Sequence, residues 1–458
     1  MVNLAGRLRK NFMKKMNARE LWTQTREVLR LSLPAILTQI TTIAMQYIDS
    51  AMVGALGANA SASIGLVASS TWLFGGIVGG VSAGFSVQAS HCVGAEDDRG
   101  ARCIVRHGLA AGLSIALLLC LIGVLICPVL PRWLHGDEAI REGASAYFFA
   151  FALMLPFSQL NSLCSSFLQS AGDMVTPSVL NAAMCGFDVL FNALLIPRFG
   201  VFGAGLGTAL ACAVVSLLMA WRCLFRDPIL RIDRKEKDKL HPAILKKAFR
   251  IGCPVALQEV FLCAAMVVST RIIAPLGAVS VAANSFAVTA EGFCYMPGFG
   301  LGAAAATLVG RSIGAGRGEL AKAQGNICIA LGAIFMAAAA GLMMLLCPWV
   351  FRLLTPDSEV QALSVRVLRI GLLAEPLYGV SIVAAGALRG TGDTLVPSLM
   401  NLASIWIVRL GLALLLVGKY GLPGMWTAMA AELCVRGLLL LTRQLTTKYY
   451  AAYKKEPT

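Results

Sequence analysis

Nine ionisable side chains lie within long apolar stretches of this 458-residue chain. They are Asp49, Asp188, Glu259, Arg271, Glu291, Glu375, Arg409, Glu432 and Arg436. A charge in an apolar environment is energetically unfavourable, so such residues are usually paired, protonated or in contact with an ion. A carboxylate in this setting can take up a proton or a cation and release it again. The chemistry that these residue types indicate is reversible cation binding.

A polar stripe marks one of the apolar stretches. Asn181, Asp188 and Asn192 occupy positions i, i+7 and i+11, which places them on one face of a helix. Asp49 lies near the end of the first apolar stretch, and the internal repeat described below assigns it to the same half of the chain. We therefore predict a cation-coupling site at Asp49 and the stripe. The alternative is a buried aspartate that bonds to asparagine only for helix packing.

The second half of the chain carries three further intramembrane carboxylates. Glu259, Glu291 and Glu375 lie on three different apolar stretches and could line a second acidic site that faces a cationic substrate. For Glu375, an ion pair with Arg271 or Arg409 is an equally good interpretation, because buried charges are usually paired.

A separate charged pair lies close to the C-terminus. Glu432 and Arg436 are four residues apart on one apolar stretch, a spacing that favours an intrahelical ion pair.

The apolar stretches have the length and composition of membrane-spanning helices. Apolar residues make up 57% of the chain and charged residues 14%, whereas soluble domains contain roughly 25% charged residues. Runs such as residues 108–130 and 327–350 reach the length of about 20 residues that crosses a bilayer. Their polarity does not alternate as it does in barrel strands. The sequence predicts an all-α polytopic membrane protein with twelve transmembrane helices.

The two halves of the chain repeat one pattern at a constant distance. A Gly-Asp-x-x-x-Pro element begins at Gly172 and again at Gly392, 220 positions later (392 − 172). Pro34 and Pro254 have the same separation (254 − 34). Six spans in each copy give both copies the same orientation, which is typical of parallel repeats. We therefore predict two six-helix pseudo-symmetric lobes. In the repeated element, we expect Gly to permit a turn, Asp to cap the next helix and Pro to fit its first turn.

The distribution of basic residues predicts the topology and five segments. The formal net charge is +15, and the Lys and Arg residues concentrate before the first span, in every second loop and after the last span. This asymmetry follows the positive-inside rule and predicts cytoplasmic termini, so we reject a nucleic-acid interface. The segments are a basic N-terminal segment without signal-peptide features (1–29), an N-lobe (30–225), a cytoplasmic linker (226–244), a C-lobe (245–446) and a cytoplasmic tail (447–458).

Motifs for enzymatic chemistry do not occur in the sequence. There is no G-x-x-x-x-G-K-[ST] loop for nucleotide binding, and the 14 Cys residues form no C-x-x-C pair. The four His residues are too scattered for a metal site. We expect no cofactor, no resident metal and no enzymatic activity.

Several stretches resemble signatures of the multidrug and toxic compound extrusion (MATE) family. They are YIDSAMVGALG (47–57), GVFGAGLGT (200–208), AANSFAVTAEGFCYMPGFGLGAAAATLVGRSIGAGR (282–317) and GALRGTGDTLVPSLMNLASIWIVRL (386–410). The resemblance covers nearly the whole chain. It implies a monomeric secondary antiporter in a bacterial inner membrane, which expels organic cations in exchange for H⁺ or Na⁺ by alternating access of two lobes. A lipid-linked oligosaccharide flippase of the same superfamily, and a membrane protein that senses or scaffolds without transport, are the alternatives.

The resemblance also implies residue roles. The family's coupling site in the first lobe maps onto Asp49, Asp188, Asn192 and Thr208, and it leaves Na⁺ binding there open. The order of Asp and Asn on the fifth span is reversed relative to the family. In the second lobe, Glu259 matches a glutamate that much of the family has on the seventh span. Tyr378 occupies the position of an aspartate in the NorM-type branch, which argues against a complete sodium site of that type.

Overall fold

The computed structural model describes residues 18–134, 136–232 and 241–452. Residues 1–17 of the predicted N-terminal segment, 233–240 of the predicted linker and 453–458 of the predicted tail therefore lie outside the described residues. The helices of the first half are α1 (Ala18–Gly54), α2 (Ala58–Gly94), α3 (Asp98–Ile126), α4 (Leu130–Trp133), α5 (Glu138–Ala171) and α6 (Val175–Trp221). A π-helical turn (Arg222–Arg226) follows α6.

The second half repeats this order with two additional interruptions. Its helices are α7 (Pro242–Ile273), α8 (Ala278–Gly314), α9 (Gly318–Leu354), α10 (Ser358–Leu372), α11 (Glu375–Thr391), α12 (Leu395–Ala403), α13 (Leu410–Tyr420), α14 (Leu422–Thr446) and α15 (Tyr449–Ala452). A π-helical segment (Ser404–Arg409) joins α12 to α13 without a break in the span.

The predicted number of twelve spans is confirmed. Among the residues that the structure describes, ten helical segments are long and apolar enough to cross a membrane. The pair α10 and α11, which is bent by 52°, forms one more span. Gly200, with φ 57° and ψ −131°, divides α6 into two spans. A positive φ is accessible to glycine because it has no Cβ, so this residue can turn the chain between two helices without a longer loop. The protein is an all-α, polytopic membrane protein.

The repeated Gly-Asp element is a turn, as expected, and its aspartates also bind arginine. Gly172 ends α5 with φ 97°, and Gly392 ends α11 with φ 87°. Asp173 accepts a hydrogen bond from the backbone N–H of Thr176 (2.9 Å) and so caps the start of α6.

In both copies an arginine at the end of the sixth span binds this aspartate. Arg222 Nη2 lies 3.4 Å from Asp173 Oδ2, and Arg443 donates to Asp393 Oδ2 from Nε (2.9 Å) and Nη2 (2.7 Å). Asp393 is 3% exposed, so the second pair is the more buried one. The ion pairs tie the start of the fifth span of each repeat to the end of its sixth.

The chain forms two compact units. The N-unit comprises residues 37–269 and 394–402, and the C-unit comprises the described residues of 1–36, 270–393 and 403–458. Most of α7 thus belongs to the N-unit, although the second copy of the sequence repeat begins in this helix. The predicted boundary between two lobes at 226–244 is derived from the repeat and stays a prediction.

Each unit has its own apolar core. In the N-unit, Phe85, Phe167 and Met219 are among the buried residues that pack together between α2, α5 and the second half of α6. In the C-unit, Phe351 and Trp426 are fully buried in a cluster built from α8, α9, α10, α13 and α14. Burial of a large apolar side chain contributes about 1.5–3 kcal/mol in a soluble protein. In a bilayer close packing takes over much of this role, because lipid is itself apolar.

Candidate functional site

Asp49 and the polar stripe of α6 form one site inside the N-unit. Asn192 Nδ2 donates a hydrogen bond to Asp49 Oδ1 (2.7 Å) and another to Asp188 Oδ2 (3.2 Å). Asp188 and Asn192 are both 0% exposed. One amide group therefore links two carboxylates from α1 and α6, so the predicted proximity of Asp49 to the stripe holds in this structure.

The path of α6 explains how this site forms. Asp188 and Asn192 are one helical turn apart and point to the same side. After the turn at Gly200, the second half of α6 packs back on the first, and Gly207 lies directly against Asn192. A Cβ at position 207 would collide with Asn192 Oδ1 and lie 3.1 Å from its backbone nitrogen. Only glycine allows this close approach.

The site is rich in oxygen atoms: Asp188 and Asn192 are fully buried, and Asp49 is half-buried. Asp188 Oδ1 and Asn192 Oδ1 are buried and have no hydrogen-bond partner among the described residues. Two carboxylates that share one amide repel each other when both are ionised, and unpartnered buried oxygens are unfavourable. A proton on one carboxylate, or a cation between them, relieves both effects. The arrangement can therefore bind and release a positive charge.

The other two predicted members of this site bond elsewhere. The Thr208 hydroxyl donates to the backbone oxygen of Ala204 (3.1 Å), one turn earlier on its own helix. Asn181 Oδ1 accepts from Asn161 Nδ2 (3.2 Å), which connects α6 to α5. Hydrogen bonds thus join Asp49, Asp188 and Asn192, whereas these bonds of Thr208 and Asn181 serve the packing of helices.

Two of the predicted glutamates are buried in the C-unit without hydrogen bonds. Glu375 is 0% exposed, and neither carboxylate oxygen has a hydrogen-bond partner among the described residues. Glu291 is 5% exposed, and its Oε1 is in the same situation. Buried, unpartnered carboxylates of this kind are neutral or bind a ligand, because an isolated charge is strongly unfavourable there.

The broken span places Glu375. It is the first residue of α11, at the bend from α10, and Pro376 follows it. Gly371, near the end of α10, lies against the indole of Trp426. A Cβ added at Gly371 would lie 3.3 Å from Glu291 Oε1. Broken helices near the middle of a span are typical places for substrate and ion binding in transporters.

The predicted alternative pairing of Glu375 with an arginine is wrong. Arg409 donates instead to Glu432 Oε2, from Nη2 (2.7 Å) and from Nε (3.1 Å). The predicted pair of Glu432 and Arg436 is confirmed, with 3.1 Å between Arg436 Nε and Glu432 Oε1. Ser404 Oγ also donates to Glu432 Oε1 (2.7 Å). Glu432 is therefore the carboxylate on which the buried arginines converge.

The π-helical segment explains why Arg409 reaches Glu432. Ser404 and Arg409 are five residues apart, and in an α-helix they would point in different directions. In a π-helix the hydrogen bond runs from i to i+5, so residues five apart lie nearly on one side. Both side chains can then bond to Glu432. Hydropathy alone does not signal such a segment.

Glu259 belongs to a different unit from the other two glutamates. It belongs to the N-unit, and it packs so closely against α2 that a Cβ at Gly76 would collide with its Cβ. Glu291 and Glu375 belong to the C-unit. The three predicted members of the second acidic site thus come from two units.

Sequence reasoning missed two polar contributors. Tyr147 on α5 lies within electrostatic range of Asp49 and Asp188. Ser404 binds Glu432, as described above. Neither follows from spacing, since each comes from a helix distant in sequence from the carboxylate. A buried Tyr usually has a polar partner nearby, and this was the available signal for Tyr147.

Twelve membrane-spanning helices with buried, incompletely bonded carboxylates define a polytopic membrane transporter. The MatE family model matches residues 34–194 and 254–415, which together make up more than half of the chain. The chain belongs to this family, the MATE transporters, which are not a class of enzymes. The two matches begin 220 positions apart (254 − 34), the same distance as the sequence repeat.

Curated relatives cover almost the full length. A probable multidrug resistance protein NorM from Chromobacterium violaceum is 26% identical over 438 residues, covering 92% of this chain and 93% of the relative. A protein of the same name from Pseudomonas aeruginosa is 28% identical over 427 residues, covering 90% of this chain and 87% of the relative.

Solved structures share the fold. An outward-facing multidrug resistance MATE family transporter of the MOP superfamily superposes with a TM-score of 0.89 at 21% identity, covering 94% of this chain and 97% of that chain. A MOP superfamily transporter from Pyrococcus furiosus gives 0.88 at 20% identity, covering 94% and 97%.

Proposed function

We propose that this protein is a secondary active multidrug efflux antiporter that exports organic cations in exchange for H⁺. The observation that carries the proposal is the triad of Asp49, Asn192 and Asp188, in which one amide donates to two carboxylates. Such a site changes its charge and its hydrogen bonds when one proton arrives, and a local change of this kind can act on a helix that has two arrangements. The names of the bacterial relatives, which are probable multidrug resistance proteins, support multidrug export.

We favour H⁺ over Na⁺ on the basis of the ligands. A metal cation held by oxygen atoms needs several of them at once. The Thr208 hydroxyl, an oxygen ligand that the family resemblance implies, donates to Ala204 instead of turning to the carboxylates. The Asn192 amide nitrogen, a hydrogen-bond donor, bonds to both Asp49 and Asp188. A donor at this position favours a proton over a metal ion, although Na⁺ at Asp49 and Asp188 is the competing outcome of the test below.

The substrate would bind where carboxylates attract it. In the deprotonated state, Asp188 draws an organic cation into the site, and protonation then favours its release. Glu259, and whichever of Glu291 and Glu375 is ionised, would supply further negative charge along the route. Alternating access would follow from one lobe rocking against the other, as in other parallel-repeat transporters. The protein would act as a monomer in a bacterial inner membrane, with both termini in the cytoplasm.

Transport into proteoliposomes under a single imposed gradient tests the proposal. We expect a pH gradient alone to drive uptake or efflux of a lipophilic cation dye, and a Na⁺ gradient alone to drive none. Asp188→Asn should abolish uphill transport, since one proton charge moved across 100 mV represents about 2.3 kcal/mol of driving force. Asp97→Asn is the matched control, because Asp97 caps α3 through Gly100 and is exposed.

The outcomes separate the candidate functions. Uphill transport by Asp188→Asn at the wild-type level would refute the assignment of this site. Transport that needs Na⁺ and survives a protonophore would replace H⁺ by Na⁺. Movement of a fluorescent lipid-linked sugar, with no movement of the dye, would favour the flippase, and no transport of any probe would favour a sensor or structural protein.

A further inference from the structure

Arg436 is a largely buried arginine among the carboxylates of the C-unit. Its Nε–H makes no well-directed hydrogen bond, although a carboxylate oxygen lies close to it. The Arg436 side chain is 11% exposed, and its Nε lies 3.1 Å from Glu432 Oε1. The N–H does not point at that oxygen and has no hydrogen-bond partner among the described residues. The Arg436 Cζ lies 5.1 Å from the ring centre of Tyr378. The charge of Glu432 and the face of the Tyr378 ring therefore position this end of the guanidinium.

Tyr378 connects Arg436 with both unpartnered glutamates. It follows Glu375 by three residues on α11 and so lies on the same face. Its ring centre is 5.6 Å from that of Tyr295, which follows Glu291 by one turn of α8. The charges of Arg436, Glu375 and Glu291 all act on the Tyr378 hydroxyl. These groups therefore form one electrostatic cluster.

The charges of this cluster balance with one proton. Glu432 pairs with Arg409 and Arg436, which leaves one positive charge in excess. Ionisation of either Glu291 or Glu375 compensates this excess. The remaining glutamate then stays neutral, because a further buried charge would be uncompensated. The balanced cluster thus accommodates one proton, and an additional metal cation would bring it out of balance.

We propose that Arg436 is a tethered cation that sets the ion specificity of the C-unit. Its guanidinium occupies the place that a dissolved Na⁺ would take among the carboxylates, and a proton is left as the exchangeable ion. The inference rests on the proposed antiport. The inference also explains why Tyr378 stands where the NorM-type branch has an aspartate. The aspartate would supply a negative charge, whereas the Tyr378 ring holds the Arg436 cation over its face.

Removal of the tethered charge tests the proposal without measuring transport. Na⁺ affinity is measured by thermal unfolding of the purified full-length protein in detergent, with NaCl titrated against choline chloride at constant ionic strength. We expect no Na⁺-specific stabilisation of the wild-type protein. Arg436→Gln should bind Na⁺ at least tenfold more tightly, because Na⁺ then replaces the lost charge. Arg436→Lys should behave like the wild type.

Two further variants make the test specific to charge. Arg436→Gln combined with both Glu291→Gln and Glu375→Gln leaves only the balanced pair of Arg409 and Glu432, so the gained Na⁺ binding should disappear. Arg352→Gln is the matched control, since Arg352 also lies over an aromatic ring (5.6 Å from the centre of Trp349) but on an exposed surface. It should bind no Na⁺.

Each result decides the matter. Wild-type protein that binds Na⁺ as tightly as Arg436→Gln overturns the proposal, and so does an Arg436→Gln variant that folds and binds none. If Arg436→Gln unfolds during purification, NaCl or the two added glutamate substitutions should rescue it, and failure of both refutes the charge argument. The proposed antiport fails separately, through the transport phenotype of Asp188→Asn in the N-unit.

Discussion

A methyl group at Gly207 should disable the coupling site, although it touches neither carboxylate. In Gly207→Ala the new Cβ collides with Asn192 Oδ1, and it cannot retreat because the Asn192 backbone nitrogen lies only 3.1 Å away. The Asn192 amide must therefore move. Overpacking of this kind lowers the free energy of unfolding by about 1–3 kcal/mol.

The hydrogen bonds of Asn192 set the size of the effect on transport. The 2.7 Å bond from Asn192 Nδ2 to Asp49 Oδ1 is the shorter of the two that the displaced amide would lose. A hydrogen bond to a charged group contributes about 1.5–3 kcal/mol. Since every 1.4 kcal/mol is about a tenfold change in an equilibrium constant, we expect proton-driven efflux to fall about 10- to 100-fold.

The assay compares initial rates of dye efflux in proteoliposomes, at protein amounts matched by folded fraction. Gly186→Ala is the control, because this glycine lies on the same helix and has open space around it. It should retain wild-type rates. If Gly207→Ala transports at the wild-type rate with an unchanged melting temperature, then Asn192 does not hold the two carboxylates in the way described.

Three further predictions concern stability, topology and substrate. Arg443→Gln should lower the free energy of unfolding by about 3–5 kcal/mol, because it leaves the buried Asp393 carboxylate unpaired. Arg222→Gln, which removes the partner of the more exposed Asp173, should lower the free energy of unfolding by only about 0–1 kcal/mol. Equal losses of unfolding free energy for the two variants in chemical denaturation would contradict this ranking. A cysteine at position 236, which lies outside the described residues, should resist an impermeant maleimide added to intact cells, and labelling from outside would reverse the predicted topology. A lipophilic cation dye should be exported and an uncharged analogue of equal size exported poorly, and equal export of both would argue against a cationic substrate.

Much of the fold could be predicted from the sequence because lipid imposes a simple rule. A span must satisfy its backbone hydrogen bonds internally, so each apolar run of sufficient length is a helix. The turn at Gly172 was also predictable, since Gly-Asp before a helix supplies both a positive φ and a cap. Gly200 was a less obvious boundary, because the helix continues on both sides of one residue.

Within the site, the sequence by itself determined what lies on one helix. Asp188 and Asn192 had to share a face, and Glu432 and Arg436 had to be able to pair, since both spacings are one helical turn. Only the tertiary structure decided which residues of distant helices meet them. The packing of α1 brings Asp49 to Asn192, and the fold-back of α6 at Gly200 places Gly207 against the same asparagine.

The choice of ion-pair partners depended on geometry that hydropathy does not encode. Arg409 could have paired with Glu375, yet the π-helical segment turns it to Glu432. The bend between α10 and α11 leaves Glu375 buried without a hydrogen bond among the described residues. Charge and hydrophobicity specify that buried carboxylates need partners, but local helix geometry and packing select the partner. For this reason the sequence identified the ionisable residues, and the tertiary structure divided them into paired and unpaired groups.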